Sequence, residues 1–143
     1  MKAKLLTLIV TMAFSSGLYA GSFSASFSNT TLNGSPNSTI SFGGTCTNFD
    51  CCNLINLKIT ITPLSIPADW DFQMDLLGSS VPQGTLTETF FVSPSQVGNI
   101  SADFIVGNTS TIGNADIRIE DVANPNDYIR FYINCRREWG SFY

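Results

Sequence analysis

Four cysteines are the residues of this 143-residue chain whose side chains are best suited to chemistry. Cys46, Cys51 and Cys52 lie close together, and Cys135 follows much later. The chain has neither a CxxC spacing nor a histidine, so the cluster lacks the pattern of a zinc site or a redox-active dithiol. In an exported protein such cysteines meet an oxidising environment. We therefore interpret all four as structural disulfide cysteines.

The four cysteines allow three pairings. A bond between the neighbours Cys51 and Cys52 would distort the peptide that joins them, so we set this pairing aside. Alternate residues of a strand face opposite sides, and both Cys51 and Cys135 share parity with the apolar residues of their strands. We therefore predict Cys51–Cys135 and Cys46–Cys52. Because Cys46 also shares parity with apolar residues of the strand before it, the opposite assignment stays open.

The chain has few residues suited to enzyme catalysis. The absence of histidine removes the commonest general base and metal ligand, and with it every Ser-His-Asp or Cys-His arrangement. Asp69, Asp71 and Asp75 fall close together, but the first two alternate outward on one predicted strand and so face solvent. We predict no catalytic residue, no cofactor and no enzymatic activity.

Calcium binding is a second use for acidic residues, because calcium takes carboxylate and carbonyl oxygens. Acids and amides flank the last predicted turn at Asp116, Glu120, Asp121, Asn124, Asn126 and Asp127. Their spacing does not match an EF-hand loop, and Asx side chains that bond backbone amides account for the same residues. We therefore assign no metal site.

The first twenty residues have the features of a secretory signal peptide. Lys2 and Lys4 precede an apolar run, and the small-residue end at Ala20 marks the expected cleavage site. The apolar run is shorter than the roughly 20 residues that a transmembrane helix needs, and no later run reaches that length. We expect residues 21–143 to be secreted, either to the periplasm or outside the cell, without a membrane span.

The charge of the chain also narrows its partners. Removal of Lys2 and Lys4 leaves few basic residues against 11 acidic ones, which argues against nucleic acid. Residues 21–49 contain no charged side chain, a composition common in extracellular structural and adhesive proteins. Sequons for N-glycosylation, relevant only in a source that modifies them, begin at Asn29, Asn37, Asn99 and Asn108.

Short alternating runs separated by turn formers predict an all-β domain. In residues 22–28 the apolar side chains of Phe23 and Phe27 alternate with serines, and Trp70 is in phase with Phe72 and Met74, which places it in the core. Seven to eight such runs, without helical periodicity, indicate an antiparallel β-sandwich. We predict a signal peptide at residues 1–20, a sandwich domain at residues 21–135 and an aromatic tail at residues 136–143.

The order of these features resembles immunoglobulin-like or fibronectin-III-like domains of exported bacterial proteins. The resemblance spans roughly residues 38–135 and includes the segment from Pro67 to Trp70 and the turn from Asn124 to Tyr128. The chain departs from the antibody-type pattern, because the strand before the last has no cysteine and Ile133 replaces the expected tyrosine. The resemblance implies an immunoglobulin-like scaffold and does not carry a function.

These observations favour a secreted, non-enzymatic structural or adhesion module that binds other proteins or assembles with itself. In a more specific version, residues 22–28 leave their own domain and complete a neighbour's sheet by β-strand addition, with residues 29–37 as the hinge of a filament subunit. The candidate partner-binding residues are Phe23, Phe27, Trp139, Phe142 and Tyr143.

An alternative function is binding of a carbohydrate or another ligand on the sandwich surface, assisted by calcium. The candidate ligand-binding residues for this alternative are Tyr128, Tyr132 and Asp121.

Overall fold

The computed structural model describes residues 17–19, 21–109 and 112–137, and within these ranges the chain forms strands, turns and loops. The strands are β1 (Gly17–Tyr19), β2 (Phe23–Phe27), β3 (Thr31–Gly34), β4 (Thr39–Asn48), β5 (Ile55–Ser65), β6 (Asp71–Leu76), β7 (Ser79–Ser80), β8 (Thr87–Val92), β9 (Val97–Ile105), β10 (Ile112–Asp121) and β11 (Tyr128–Arg137). None of the described residues belongs to a helix that could cross a membrane.

The strands form two sheets. The six-stranded sheet, which we call sheet A, has the order β1-β2-β4-β9-β6-β7, and the five-stranded sheet B has the order β3-β11-β10-β5-β8. Every neighbouring pair is antiparallel except β11 and β3, which run parallel. The predicted antiparallel β-sandwich is confirmed, with more strands than expected because residues 17–19 and the turn-rich segments 31–34 and 79–80 also pair.

The core lies between the sheets and follows from alternation along each strand. In the middle of sheet B, Ile117 pairs in register with Ile61 on β5 and with Phe131 on β11, and all three are buried. Trp70, which immediately precedes β6 of sheet A, lies edge-on to Phe104 with the ring centroids 6.2 Å apart. Trp70 is 6% exposed, so its predicted place in the core is confirmed.

Strand β2 is an integral part of its own sheet. It pairs with β4 from Phe23 opposite Asn48 to Phe27 opposite Gly44. Both phenylalanines are buried. The ring of Phe27 packs edge-to-face against that of Phe131 on sheet B, with the ring centroids 4.8 Å apart. These two side chains, which were predicted to bind a partner, lie in the core of their own chain.

The cysteines differ from the predicted pairing. Cys51 and Cys52 are bonded to each other, while Cys46 and Cys135 are buried free thiols. The parity argument was wrong for Cys51 because it lies in a bend before β5 rather than in the strand. Burial raises the pKa of Cys46 to about 12 and that of Cys135 to about 11, so both thiols stay protonated at neutral pH.

Candidate functional site

The loop that contains the disulfide is held by an asparagine that sequence reasoning missed. Asn48 is buried, and its Nδ2 donates to the carbonyl oxygens of Asn53 at 2.9 Å and Val92 at 3.0 Å, while its Oδ1 accepts from the Asp50 amide. Asp50, Cys51 and Cys52 are exposed and have ligand atoms close together. Because both sulfurs are in the disulfide, we assign this group to loop structure.

The outer face of sheet B carries a cluster of charged and aromatic side chains. We call it the tyrosine–arginine face, and it consists of Lys58, Asp116, Arg118, Glu120, Tyr128, Arg130 and Tyr132. The register of β10 and β11 places Arg118 directly opposite Arg130, with Glu120 opposite Tyr128 and Asp116 opposite Tyr132. The pleat turns these alternate residues to the same side of the sheet.

Two buried acids offset the repulsion between the cations on this face. Glu120 pairs with Lys58 at 2.5 Å and with Arg118 at 2.6 Å, and Asp116 pairs with Arg130. The contact with Lys58 lowers the pKa of Glu120 below its usual value; burial opposes this shift and the contact with Arg118 adds to it. Glu120 therefore remains ionised beneath the cations at neutral pH.

The tyrosines complete the exposed part of this face. The guanidinium of Arg118 lies 4.0 Å from the ring centroid of Tyr128, and that of Arg130 lies 5.6 Å from the centroid of Tyr132. Tyr128 and Tyr132 are 45% and 58% exposed. Tyrosine and arginine are enriched in protein interfaces and among the few interface residues that carry most of the binding energy.

Asp121 does not join the two tyrosines with which the sequence analysis grouped it. Alternation places it on the opposite side of β10 from Glu120, where it lies in register with Leu57. Its Oδ1 accepts from the Ala123 amide at 2.9 Å, and its Oδ2 accepts from the Ser22 hydroxyl at 3.2 Å. Asp121 therefore acts as a turn residue that faces the start of β2.

Asp127 makes the stronger contacts at this point. Its carboxylate accepts hydrogen bonds from the amide of Gly21 at 2.6 Å, from the amide of Ser22 at 3.0 Å and from the Ser22 hydroxyl at 2.7 Å. Burial acts to raise the pKa of Asp127, but the hydrogen bonds from Ser22 and Gly21 outweigh it and lower the pKa. The turn between β10 and β11 thus fixes the segment that leads into β2.

The edge of β2 that does not pair with β4 is covered by β1. The register pairs Gly17 with Ser26, Leu18 with Ala25 and Tyr19 with Ser24. On its other side β2 pairs with β4 along its whole length. The outer edge of β2 therefore depends on a segment that lies before the predicted cleavage site.

The outer face of sheet A has a different character from the tyrosine–arginine face. A groove of about 530 Å³ crosses it, lined by hydroxyls, glycines and the acids Asp75 and Asp103. Burial raises the pKa of Asp103; hydrogen bonds from Ser41 and Ser101 oppose this shift, and the charge of Asp75 adds to it. Among the described residues, the strands of sheet A carry no lysine or arginine.

Trp139, Phe142 and Tyr143 are outside the described residues. Strand β11 continues to Arg137, past the predicted domain end at residue 135.

Comparison with known proteins supports the fold. No protein-family model matches the chain, and no curated protein matches it. Among solved structures, the N-terminal domain of PorA has 17% identity and a TM-score of 0.58, over 77% of this chain and 88% of that one. The secreted serine protease VesC from Vibrio cholerae has 10% identity and a TM-score of 0.51, over 81% of this chain and 23% of that one.

The E. coli adhesin CfaE is also similar, with 11% identity and a TM-score of 0.48, over 80% of this chain and 46% of that one. At these identities the similarity shows the fold alone. Together with the two sheets, the similarities to PorA and VesC confirm the immunoglobulin-like β-sandwich class of fold.

Proposed function

We propose that this chain is an exported, non-enzymatic assembly module that pairs with a second copy of itself along the edge of β2 once residues 1–20 have been removed. The observation that carries the proposal is the cover of that edge by β1. Residues 17–19 lie before the predicted cleavage site after Ala20, so cleavage removes them and leaves β2 as the edge of sheet A.

The exposed edge would lack the features that keep edge strands from pairing. Natural edges are short, charged or interrupted by proline. Each of the other edges has one of these features: β7 has two residues, β3 has four, and β8 carries Glu88. Strand β2 has five residues with the sequence Phe-Ser-Ala-Ser-Phe, and none of them is charged.

The sequence of β2 supports a second copy as its partner. The five residues are the same in both directions, so an antiparallel pair centred on Ala25 places Phe23 opposite Phe27 and Ser24 opposite Ser26. A two-fold interface needs this kind of self-complementary surface. The pair would join two sheets into one continuous sheet and satisfy the backbone groups that the removal of β1 exposes.

This proposal changes the part that residues 22–28 play in strand addition. As a strand donor, β2 would have to withdraw two buried phenylalanines from its own core, at a cost of about 3 kcal/mol or more for each. As an acceptor, it keeps those contacts and uses only its free backbone edge. We therefore infer that the strand stays in place and recruits a partner strand.

The test uses charge at the two outward serines of β2. In the proposed pair Ser24 lies opposite Ser26 of the other copy, so S24K/S26K places lysines opposite each other, while S24K/S26E places lysine opposite glutamate. We expect the exported parent and S24K/S26E to sediment as dimers and S24K/S26K as a monomer. A monomeric parent, or a dimer that S24K/S26K leaves intact, would overturn the proposal. Longer assemblies seen by electron microscopy would indicate a filament instead.

A second candidate function is ligand binding at the tyrosine–arginine face. It rests on the exposure of Tyr128 and Tyr132 beside Arg118 and Arg130. A glycan array with and without calcium, comparing the parent with Tyr132→Ala, tests it. Binding that Tyr132→Ala abolishes would support a glycan site, and an array without signal would contradict one.

A further inference from the structure

Two carboxylates of the turn between β10 and β11 converge on the residues that precede β2. Asp127 accepts from the amides of Gly21 and Ser22, and the Ser22 hydroxyl donates to both Asp127 and Asp121. All of these donors are neutral. Among the described residues, neither carboxylate forms an ion pair with lysine or arginine.

The position of these carboxylates matches the bond that export would break. Hydrolysis of the peptide bond between Ala20 and Gly21 adds water, gives a carboxyl group to Ala20 and leaves a primary amine on Gly21. That amine takes up a proton near neutral pH, because an α-amino group has a pKa of about 8. The Gly21 nitrogen lies 2.6 Å from Asp127 Oδ1, so the new charge would form next to a carboxylate.

We propose that Asp127, supported by Asp121, is a binding site for the N-terminal ammonium that cleavage creates at Gly21. An ionised donor forms a stronger hydrogen bond to a carboxylate than a neutral amide does. Asp121 shares the Ser22 hydroxyl with Asp127 and so adds a second carboxylate beside the site. Gly21 is exposed, and solvent therefore limits the gain to a moderate one.

This anchor has a consequence for the edge of β2. Cleavage removes β1, one of the two neighbours of β2, and the new ion pair fixes the start of the same strand to the turn beside β11. The strand then stays in its own sheet while its outer edge becomes free. The inference rests on the proposed function only in requiring the removal of residues 1–20.

The experiment begins with the full chain, expressed with its own first twenty residues and purified after export. Intact mass establishes the first residue, which we expect to be Gly21. Half of the sample is acetylated on the α-amine, and peptide mapping verifies that Gly21 and not Lys58 carries the acetyl group. Urea unfolding is then measured for both forms of the parent and of Asp127→Asn.

We expect acetylation to raise the unfolding equilibrium constant of the parent about fivefold to tenfold, the range of a charge-assisted hydrogen bond at an exposed site. In Asp127→Asn the acetyl group should have little effect. Asp75→Asn, on β6 and separated from β2 by β4 and β9, is the matched control and should respond to acetylation as the parent does.

Three results would overturn the inference: a first residue other than Gly21, a parent that acetylation does not destabilise, or an equal effect of acetylation in the parent and Asp127→Asn. If Asp127→Asn does not fold, the acetylated parent and Asp121→Asn, in which the effect should be reduced, decide the question. Sedimentation of the same samples separates this inference from the proposed dimer, because either can fail while the other holds.

Discussion

Glu120 on sheet B and Asp103 on sheet A are both carboxylates on the outer face of a sheet, yet their pKa values shift in opposite directions. The pKa of Glu120 falls because Lys58 and Arg118 contact it, whereas that of Asp103 rises because burial is not compensated by a cation. Among the described residues, every lysine and arginine lies on β5, β10 or β11 of sheet B.

The outer faces of the two sheets differ in the groups that they present to another molecule. On the outer face of sheet B, two acids pair with three cations beside two exposed tyrosines, so side chains are available there for contact with another molecule. Sheet A instead presents hydroxyls, glycines and the acids Asp75 and Asp103 on its face, and its proposed interaction is at the edge of β2. Sheet B would bind through its side chains and sheet A through the backbone groups at the edge of β2.

The largest expected effect comes from breaking the junction of β2 with sheet A. A Cβ at Gly44 would lie 1.9 Å from the Ser26 carbonyl oxygen, whereas a Cβ at Gly43 would meet nothing within 4 Å. We expect Gly44→Ala to lower the free energy of unfolding by about 3 kcal/mol, because a backbone clash cannot relax without moving β2. Gly43→Ala, its neighbour, should change it by less than about 0.5 kcal/mol. Equal losses in urea unfolding would contradict this account.

Substitutions of Glu120 and Asp103 should change the free energy of unfolding by intermediate amounts and in opposite directions. Glu120→Gln leaves Lys58 and Arg118 without their shared carboxylate and should lower the free energy of unfolding by about 2 kcal/mol. Asp103→Asn removes a charge that the structure does not compensate, so we expect no loss and a small gain of about 0.5 kcal/mol. Chemical denaturation at pH 7 checks both, and a comparable loss in the two variants would erase the distinction between the faces.

The smallest expected effect is the change with pH in the stability differences between the parent and the variants Glu120→Gln and Asp103→Asn. A carboxyl whose pKa is lowered on folding contributes stability above its unfolded pKa, and this is lost as the pH falls through the folded pKa. The deficit of Glu120→Gln should therefore shrink on acidification from pH 7 to pH 3, below the ordinary pKa of 4.5. The pKa of Asp103 is raised in the folded protein, so its negative charge destabilises the fold at neutral pH. This destabilisation disappears as the pH falls and the carboxyl is protonated, and the gain in stability of Asp103→Asn disappears with it.

Urea midpoints of the parent and both variants at pH 7, 5 and 3 measure these changes. The parent serves as the common reference, so denaturation of the whole protein by acid does not enter the differences. Differences that stay constant over this range would show that neither carboxyl changes its proton affinity on folding.

Alternation along the chain was enough to predict the sandwich and the inward position of Trp70, because a strand with one buried face must repeat every two residues. The same rule failed for Cys51 and Cys52, which lie in a bend where parity has no meaning. It also could not tell whether Phe23 and Phe27 face their own core or that of a neighbour, since both choices bury the same side chains.

What the sequence determined by itself was therefore the class of fold and the lack of histidine chemistry, both of which are local or compositional properties. What only the tertiary structure decided was which distant residues meet. The separation of charges between the sheets, the buried bonds of Asn48 and the contact of Gly21 with Asp127 depend on strand order and register. Order and register arise from packing between segments far apart in the chain, and no local pattern encodes them.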